Sequence, residues 1–396
     1  MSSISMDAFE FRNPACSVVF DVSHPYPGRE EVVMKVCKSA DDEIRFAFAA
    51  GKGLARLANS AKMARENVLS DLLAVNEQDP NTLLSFFCEN GYLLPIDTQE
   101  GEYQSVPLDT LCGIVSRIKA TVLLMSELGS PKPDYLRIMA LIVNLVKADT
   151  YTVTNADGVT VYATCEHEFT KLMKMASTLP SVDGEVDANT KGYYEIPDTI
   201  YGTYHLDSAE YDDIADDYTF SNRYPGIDDI FYRDVVYLYR NATSATTENR
   251  QMIDFLFHFM HRVAILENCY SDGRIETYAE PNMNEIDNTL EEGAIKAARI
   301  ILSKEINMNL KGISPYYDIE KMEPSWKTDS LLSALYLSIF FLRPGIEIYR
   351  RCGNPNCNCS FLVKTTSMKQ KYCSSECSNA MAQRFYRKRK MAQKQQ

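Results

Sequence analysis

Apolar residues in the first 75 positions follow two different spacings. Two valine-rich runs, 16–22 and 32–36, are separated by the turn-forming residues 24–28. Branched residues that flank such a turn are typical of a hairpin, so we predict two short strands here. Over 41–75 the leucines and alanines instead recur every three or four residues, which favours helix. We expect the glycines at 51 and 53 to divide that stretch into two helices.

Farther along the chain, apolar stripes with helical spacing alternate with short strand signals. Helices are predicted near 108–125, 136–146, 166–177, 248–266, 286–302, 331–342 and 378–396. A hairpin is predicted over 151–162, where branched residues alternate around Asp157-Gly158. Residues 183–234 are acidic and rich in tyrosine, and we interpret them as a loop-rich layer. A strand over 346–349 leads directly to Cys352.

Charge is distributed unevenly along the chain. The formal net charge is −13, yet residues 346–396 carry eleven Lys and Arg against two acids, which leaves −22 on the remainder. An acidic body with a basic end indicates a polyanionic partner, or contact with the protein's own acidic surface. Residues 1–30 lack a secretory signal pattern, and the apolar run 331–342 is too short to span a bilayer. We therefore predict a cytoplasmic protein with no membrane partner.

The cysteines fall into two groups. Six of the eleven are scattered singly, and the other five crowd into residues 352–377. Cys352 and Cys357 enclose turn-forming residues, so they can close as a knuckle at a hairpin tip. Cys373 and Cys377 are four residues apart, which places both thiolates on one face of the first turn of a helix. Two such pairs supply the four thiolates that structural zinc prefers.

We therefore predict one zinc ion held by Cys352, Cys357, Cys373 and Cys377. Cys359 lies two residues beyond Cys357 and is an alternative ligand in its place, which the spacing leaves open. A knuckle followed by a pair that opens a helix is the treble-clef arrangement. A module of this size has little core of its own, so metal binding supplies much of its folding energy.

The succession of elements predicts an α+β fold: a mostly helical body with small sheets, and a C-terminal treble-clef zinc module. We divide the chain into four consecutive segments. These are a mostly helical N-terminal domain with short N-terminal strands (1–150), a hairpin with the acidic tyrosine-rich layer (151–245), a helical region (246–345) and the zinc module with its basic helix (346–396).

Residues around the cysteines resemble a known family. The pattern consists of Tyr349-Arg350-Arg351-Cys352, then Cys357 and Phe361, then Tyr372-Cys373-Ser374 and Cys377 before a basic helix. It is similar to the CGNR-type zinc finger, and residues 83–92 also resemble a segment of that family's N-terminal region. The resemblance implies a bacterial protein regarded as a transcription regulator, with the finger behind a mostly helical domain.

One position departs from that family. The motif that names it places Gly-Asn-Arg after the last cysteine, where this chain has Ser378-Asn379-Ala380, so no base contact is carried over. A related treble-clef family of unknown function fits the same residues.

The residues after the cysteines predict a basic helix. Residues 378–396 are nearly free of helix breakers and rich in good helix formers. The candidate nucleic-acid-binding residues are Arg384, Arg387, Lys388, Arg389, Lys390 and Lys394. A helix that is basic on most sides cannot be buried, but it can lie along the phosphates of DNA or RNA. Phe385 and Tyr386 interrupt the run and have two alternative roles, packing on the zinc module or stacking on a base.

These features predict a nucleic-acid-binding regulator whose zinc-finger tail contacts DNA or RNA phosphates, while its body senses a ligand or partner. The alternative is a protein-interaction or structural role, in which the zinc module docks on its own acidic body or on a protein partner. An enzymatic activity in the body also stays open, because a chain without a recognised motif can still carry a site.

The motifs that could indicate an enzyme are weak. We interpret His258 and His261 as ordinary helix histidines rather than a metal pair, and the run Cys165-Glu166-His167-Glu168 as neighbours that do not form a nucleophile. Residues 51–53 lack the spacing of a phosphate-binding loop. The acidic residues within 207–217 lack EF-hand spacing, so we interpret them as a solvated loop.

Overall fold

The computed structural model describes most of the chain. It covers residues 8–26, 28–49, 51–57, 63–98, 101–155, 157–164, 166–175, 193–199, 202–207, 230–241, 245–319, 322–357, 359–367 and 369–394. The strands are β1 (Ala8–Tyr26), β2 (Arg29–Ala49), β3 (Gly53–Leu57), β4 (Met63–Asn67), β5 (Tyr103–Pro107), β6 (Thr152–Thr154), β7 (Thr160–Ala163), β8 (Tyr193–Thr199), β9 (Gly202–Asp207), β10 (Leu266–Cys269), β11 (Ile275–Thr277), β12 (Ser314–Asp318), β13 (Glu323–Lys327), β14 (Glu347–Arg351) and β15 (Ser360–Lys364). The helices are α1 (Val68–Ala74), α2 (Pro80–Asn90), α3 (Leu108–Leu128), α4 (Tyr135–Lys147), α5 (Glu168–Met175), α6 (Ile230–Asn241), α7 (Thr247–Arg262), α8 (Asn288–Asn309), α9 (Leu331–Phe340) and α10 (Ser375–Lys394).

The chain forms two compact units, and each is discontinuous in sequence. Unit 1 contains residues 1–132, 149–164 and 306–396. Unit 2 contains residues 133–148 and 165–305. The cysteine-rich end therefore belongs to the same compact unit as the N-terminal region. The two units do not coincide with the four consecutive segments suggested by the sequence.

An antiparallel sheet organises unit 1. Its strand order is β1-β2-β3-β4, and β5 pairs with the other part of β2. Phe9 lies opposite Phe48, and Phe11 opposite Phe46, with ring centroids 5.2 and 5.9 Å apart. All four rings are buried, and cross-strand aromatic pairs of this kind stabilise a sheet beyond the burial of their area.

Of the two helices predicted over 41–75, only the end, from Val68, is helical, and the prediction is wrong up to residue 67. Strand β2 continues to Ala49, and the chain then forms β3 and β4. Phe46 and Phe48 alternate with more exposed neighbours, and this period of two prevails because both rings find partners on β1. Helix α1 begins only at Val68, where the Asn67 side chain accepts hydrogen bonds from two helical N–H groups at 3.0 and 3.1 Å.

The predicted short N-terminal strands are also longer than expected, at 19 and 21 residues. Segment 1–150 thus combines its helices with a five-stranded sheet rather than being mostly helical. The remaining helix predictions are confirmed within the described residues, except that the helix predicted over 248–266 ends at Arg262 and residue 266 begins β10. The hairpin over 151–162 is also confirmed, because β6 pairs with β7 and Gly158 has a φ of 77°. The α+β class is confirmed.

Helix α7 organises unit 2. Phe255, Phe257 and Phe259 are buried, and the ring of Tyr239 on α6 stacks on that of Phe257 with centroids 3.9 Å apart. The buried Arg250 guanidinium donates to the Tyr239 carbonyl near the end of α6 at 3.1 Å, which links α7 to the last turn of α6. Packing of this kind stabilises the helices that the sequence predicted for this part of the chain.

Most of the predicted acidic layer, 183–234, lies outside the described residues. Within it the structure describes β8, β9 and the first part of α6. None of the described helices combines the length and the apolar character that a membrane crossing requires.

Candidate metal centre and basic helix

The first cysteine pair lies at the end of a short hairpin. Strand β14 pairs with β15 from Glu347↔Lys364 to Arg351↔Ser360, and Cys352 follows β14 directly. The Cys352 N–H donates to the Cys359 carbonyl at 2.9 Å, and the Cys357 N–H donates to the Asn354 carbonyl at 2.9 Å. This tight turn, built on Gly, Asn and Pro, brings Cys357 back towards Cys352.

The second pair opens helix α10. Cys373 precedes the helix, and Cys377 lies in its first turn. The Ser374 hydroxyl accepts a hydrogen bond from the Cys377 N–H at 3.3 Å, as a helix cap does. The Gly353 N–H donates to the Lys371 carbonyl at 2.7 Å, so the segment before the helix is bonded to the turn of the first pair.

The structure brings four of the five clustered cysteines together. The Sγ atoms of Cys352, Cys357, Cys373 and Cys377 all lie within 4.8 Å of one another. Cys373 Sγ is 3.7 Å from both Cys357 Sγ and Cys377 Sγ. Four sulfurs around a zinc ion at about 2.3 Å would be about 3.8 Å apart, whereas a disulfide needs about 2.05 Å. The donor set and its spacing therefore fit a tetrahedral metal site, and exposed Cys359 is not in the group.

The environments of the sulfurs differ. The Asn354 side-chain amide donates to Cys377 Sγ at 3.5 Å, and this hydrogen bond lowers the pKa of the Cys377 thiol to about 7. Burial raises the pKa of Cys357 to about 11 and also raises the pKa of Cys373. A divalent cation at the centre would counter the charge of the thiolates that burial disfavours.

Strand β14 is bonded to the body of unit 1. Tyr349 is buried; its hydroxyl donates to Asn67 Oδ1 at 3.0 Å, and its N–H donates to Ser126 Oγ at 3.0 Å. Burial raises the pKa of the Tyr349 phenol, so the hydroxyl stays a donor. Asn67 also donates from its amide to the Lys52 carbonyl at 2.8 Å. This junction could not be predicted from the sequence, because nothing local links Tyr349 to a residue 282 positions earlier.

The junction can be tested with Tyr349→Phe. Removing the hydroxyl deletes one buried hydrogen bond, which we expect to lower the free energy of unfolding by about 1 kcal/mol. Urea denaturation of the full chain measures this. Tyr372→Phe is the control, because the Tyr372 hydroxyl forms no hydrogen bond with a described residue and the side chain is half-buried. Equal destabilisation by both variants would contradict a specific role for the Tyr349 hydroxyl.

Helix α10 leaves the cysteine cluster and becomes exposed. Met381 is 8% exposed, and every described side chain after it is exposed. The exposed basic side chains are Arg384, Arg387, Lys388, Arg389 and Lys390. None of these five forms an ion pair with a described residue of unit 1. Lys394 is in the last described turn, and its side chain is outside the described part.

Histidines in unit 2 have neighbouring partners. His258 Nε2 lies 3.2 Å from the Tyr239 hydroxyl and 3.4 Å from Asp254 Oδ1, and the ring is buried. Asp254 precedes His258 by one helical turn, and this i,i+4 spacing is a local signal for their contact. The His261 ring stacks on that of Phe257 instead. Among the described residues, only the four cysteines form a group of three or more metal-binding side chains.

The described residues around His167 do not contact one another as a group. His167 Nε2 lies 2.9 Å from Glu305 Oε2, and both side chains are buried. Glu166 forms an ion pair with Lys174 at 2.8 Å, and Glu168 forms one with Lys304 at 3.8 Å. Cys165 is outside the described residues. The described members of this run therefore face different partners.

Two further sequence candidates were residues 51–53 and the acidic residues within 207–217. Residues 51 and 52 form a turn before β3, which begins at Gly53, and both glycines have positive φ, so they are not the helix break that we predicted. Of the acidic residues within 207–217, only the backbone of Asp207 is described, at the end of β9.

Unit 1 also contains a cavity of about 260 Å³. Its polar lining includes Thr160, Tyr162, Asn309, Lys311, Asp329, Ser330 and Ser333. The Ser330 hydroxyl accepts from the Ser333 N–H at 3.2 Å as the cap of α9, and the Ser333 hydroxyl donates to Asp329 Oδ1 at 2.7 Å. Asp329, Ser330 and Ser333 therefore stabilise the junction between β13 and α9.

No family model, curated protein or solved structure matches this chain.

Proposed function

We propose that residues 346–396 form a treble-clef module around one structural zinc ion, and that this module presents a basic helix to the phosphates of DNA or RNA. One observation carries the proposal: helix α10 is held at its first turn by the cysteine group, while its later turns are exposed and carry five cations. The protein is then a non-enzymatic nucleic-acid-binding regulator.

The choice of zinc rests on the chemistry of the donors. Four cysteine sulfurs at tetrahedral spacing suit zinc, which requires no further ligand in a structural site. Cys352, Cys357, Cys373 and Cys377 would hold it, and the ion would supply folding energy and no reaction chemistry. The resemblance to the CGNR-type zinc finger supports the same assignment.

The choice of nucleic acid rests on the helix. Arg384, Arg387 and Lys388 are exposed, and no described residue of unit 1 neutralises them. A run of cations that the protein leaves in solvent is suited to a polyanion, because phosphate contacts release condensed counterions. The rest of the chain carries a net charge of −22 and repels a polyanion, so attraction to DNA or RNA has to come from this end of the chain.

Salt-dependent binding tests the proposal. We expect the full chain, loaded with zinc, to bind labelled 20-mers of mixed sequence in fluorescence anisotropy at 50 mM salt. If the five described cations each neutralise one phosphate, the slope of log K against log salt is about −4.5 on duplex and about −3.5 on single strands. An affinity that does not change with salt, or no binding at 50 mM salt, would contradict the proposal.

A second candidate function is structural. The buried bonds from Tyr349 to Asn67 and Ser126 favour a role in which the metal closes unit 1 and the helix meets a protein partner. This candidate predicts that removing the metal destabilises unit 1, while neither DNA nor RNA binds. The salt titration therefore separates the two functions.

A further inference from the structure

Tyr386 is an exposed aromatic residue in the middle of the basic helix. Its side chain is 65% exposed, against 49% for Phe385. No aromatic ring or cation among the described residues of unit 1 lies against it. Of the two roles that the sequence left open for this residue, packing on the zinc module is therefore not the one that the structure adopts.

The geometry of helix α10 determines the direction in which the Tyr386 side chain points relative to buried Met381. At about 100° per residue, Tyr386 projects about 140° away from buried Met381, whereas Phe385 projects only about 40° away. Arg389 and Lys390 follow Tyr386 by three and four residues, so they are its neighbours on the helix surface, and both are exposed. The exposed side of the helix therefore presents the ring together with two cations.

We propose that Tyr386 is a base-stacking platform and that the preferred partner of α10 is a single-stranded nucleic acid. This inference rests on the proposed function and specifies its substrate class. In a duplex the base faces are covered by their neighbours, so an exposed ring meets only edges and backbone. In a single strand the faces are free, and aromatic stacking beside cations is how such strands are held without sequence preference.

The positions of the ring and of the neighbouring cations indicate which part of a nucleotide each side chain would contact. A base stacks on the Tyr386 ring, and the flanking phosphates reach Arg389 and Lys390. Single-stranded RNA and single-stranded DNA share this chemistry, because every base has an aromatic face. The ring of tyrosine, rather than its hydroxyl, supplies the contact.

The test uses the full zinc-loaded chain and three labelled probes: a 12-mer of rU, a 12-mer of dT and a 12-bp duplex. We expect Tyr386→Ala to lower affinity for both single strands about 5- to 150-fold and to leave duplex affinity within about twofold. Tyr386→Phe should keep single-strand affinity. Alanine is a better helix former than tyrosine, so the variant should fold, and zinc content and circular dichroism verify this.

Tyr316→Ala is the matched control, because Tyr316 is also exposed, at 42%, but lies on β12. The inference is overturned if Tyr386→Ala leaves single-strand affinity unchanged, if Tyr386→Phe loses as much as Tyr386→Ala, or if the wild type prefers the duplex. In each of those cases salt-dependent binding by the wild type would still support the proposed function. Absence of binding to all three probes would overturn both.

Discussion

Replacing Cys373 by serine should abolish metal binding and unfold the end of the chain. Cys373 Sγ is central to the group, at 3.7 Å from two of the other sulfurs. Zinc binding contributes about 10–16 kcal/mol in small zinc modules, which is more than such a module's own core can supply. We expect zinc content to fall from one per chain to near zero, measured by atomic absorption after gel filtration.

The effect should extend beyond the cysteines. Strand β14 connects the group of four cysteines to the body through Tyr349, and the β14–β15 hairpin packs against α1 and α3 of unit 1, so unfolding of the cysteine group would remove an ordered neighbour from these helices. We expect a clear drop in the thermal midpoint of unit 1 in Cys373→Ser. Treating the wild type with a strong chelator should give the same drop.

Cys359→Ser is the matched control for this prediction. It makes the same chemical change in the same module, but Cys359 is exposed and is not one of the four grouped cysteines. Zinc content and thermal midpoint should stay at wild-type values. Equal loss of zinc from Cys359→Ser and Cys357→Ser would show that the ligand set is wrong, whatever the metal.

The triple substitution Arg384→Gln, Arg387→Gln and Lys388→Gln should weaken nucleic-acid binding most among surface changes. Each side chain is exposed and available to a phosphate. Removing three contacts should make the salt slope shallower by up to about three units. The loss should be similar for all sequences, because phosphates carry no sequence information.

A matched control removes three exposed positive charges elsewhere in unit 1. Lys38, Lys132 and Lys327 are exposed and form no ion pair with a described residue of that unit, so changing all three to Gln alters net charge equally. This variant should bind with nearly the wild-type slope. If both triple variants lose the same affinity, the interaction depends on net charge and not on helix α10.

Much of the candidate site could be predicted from local sequence. The four-residue spacing of Cys373 and Cys377 brings their sulfurs together at the start of a helix, although Cys373 itself precedes it, and the residues between Cys352 and Cys357 form a turn. Such short-range geometry depends little on the rest of the chain. The amphipathic helices α3, α4, α7, α8 and α9 were predictable for the same reason, because a stripe at helical spacing defines its own buried face.

Only the tertiary structure decided the features that depend on distant partners. Phe46 and Phe48 could serve a helix or a strand, and the rings of Phe11 and Phe9 on β1 select the strand. The partners of Tyr349, and the burial of Met381 but not of Tyr386, likewise depend on which surfaces meet. Periodicity specifies which side of an element is apolar, but the free energy that chooses between elements comes from contacts between residues far apart in the chain.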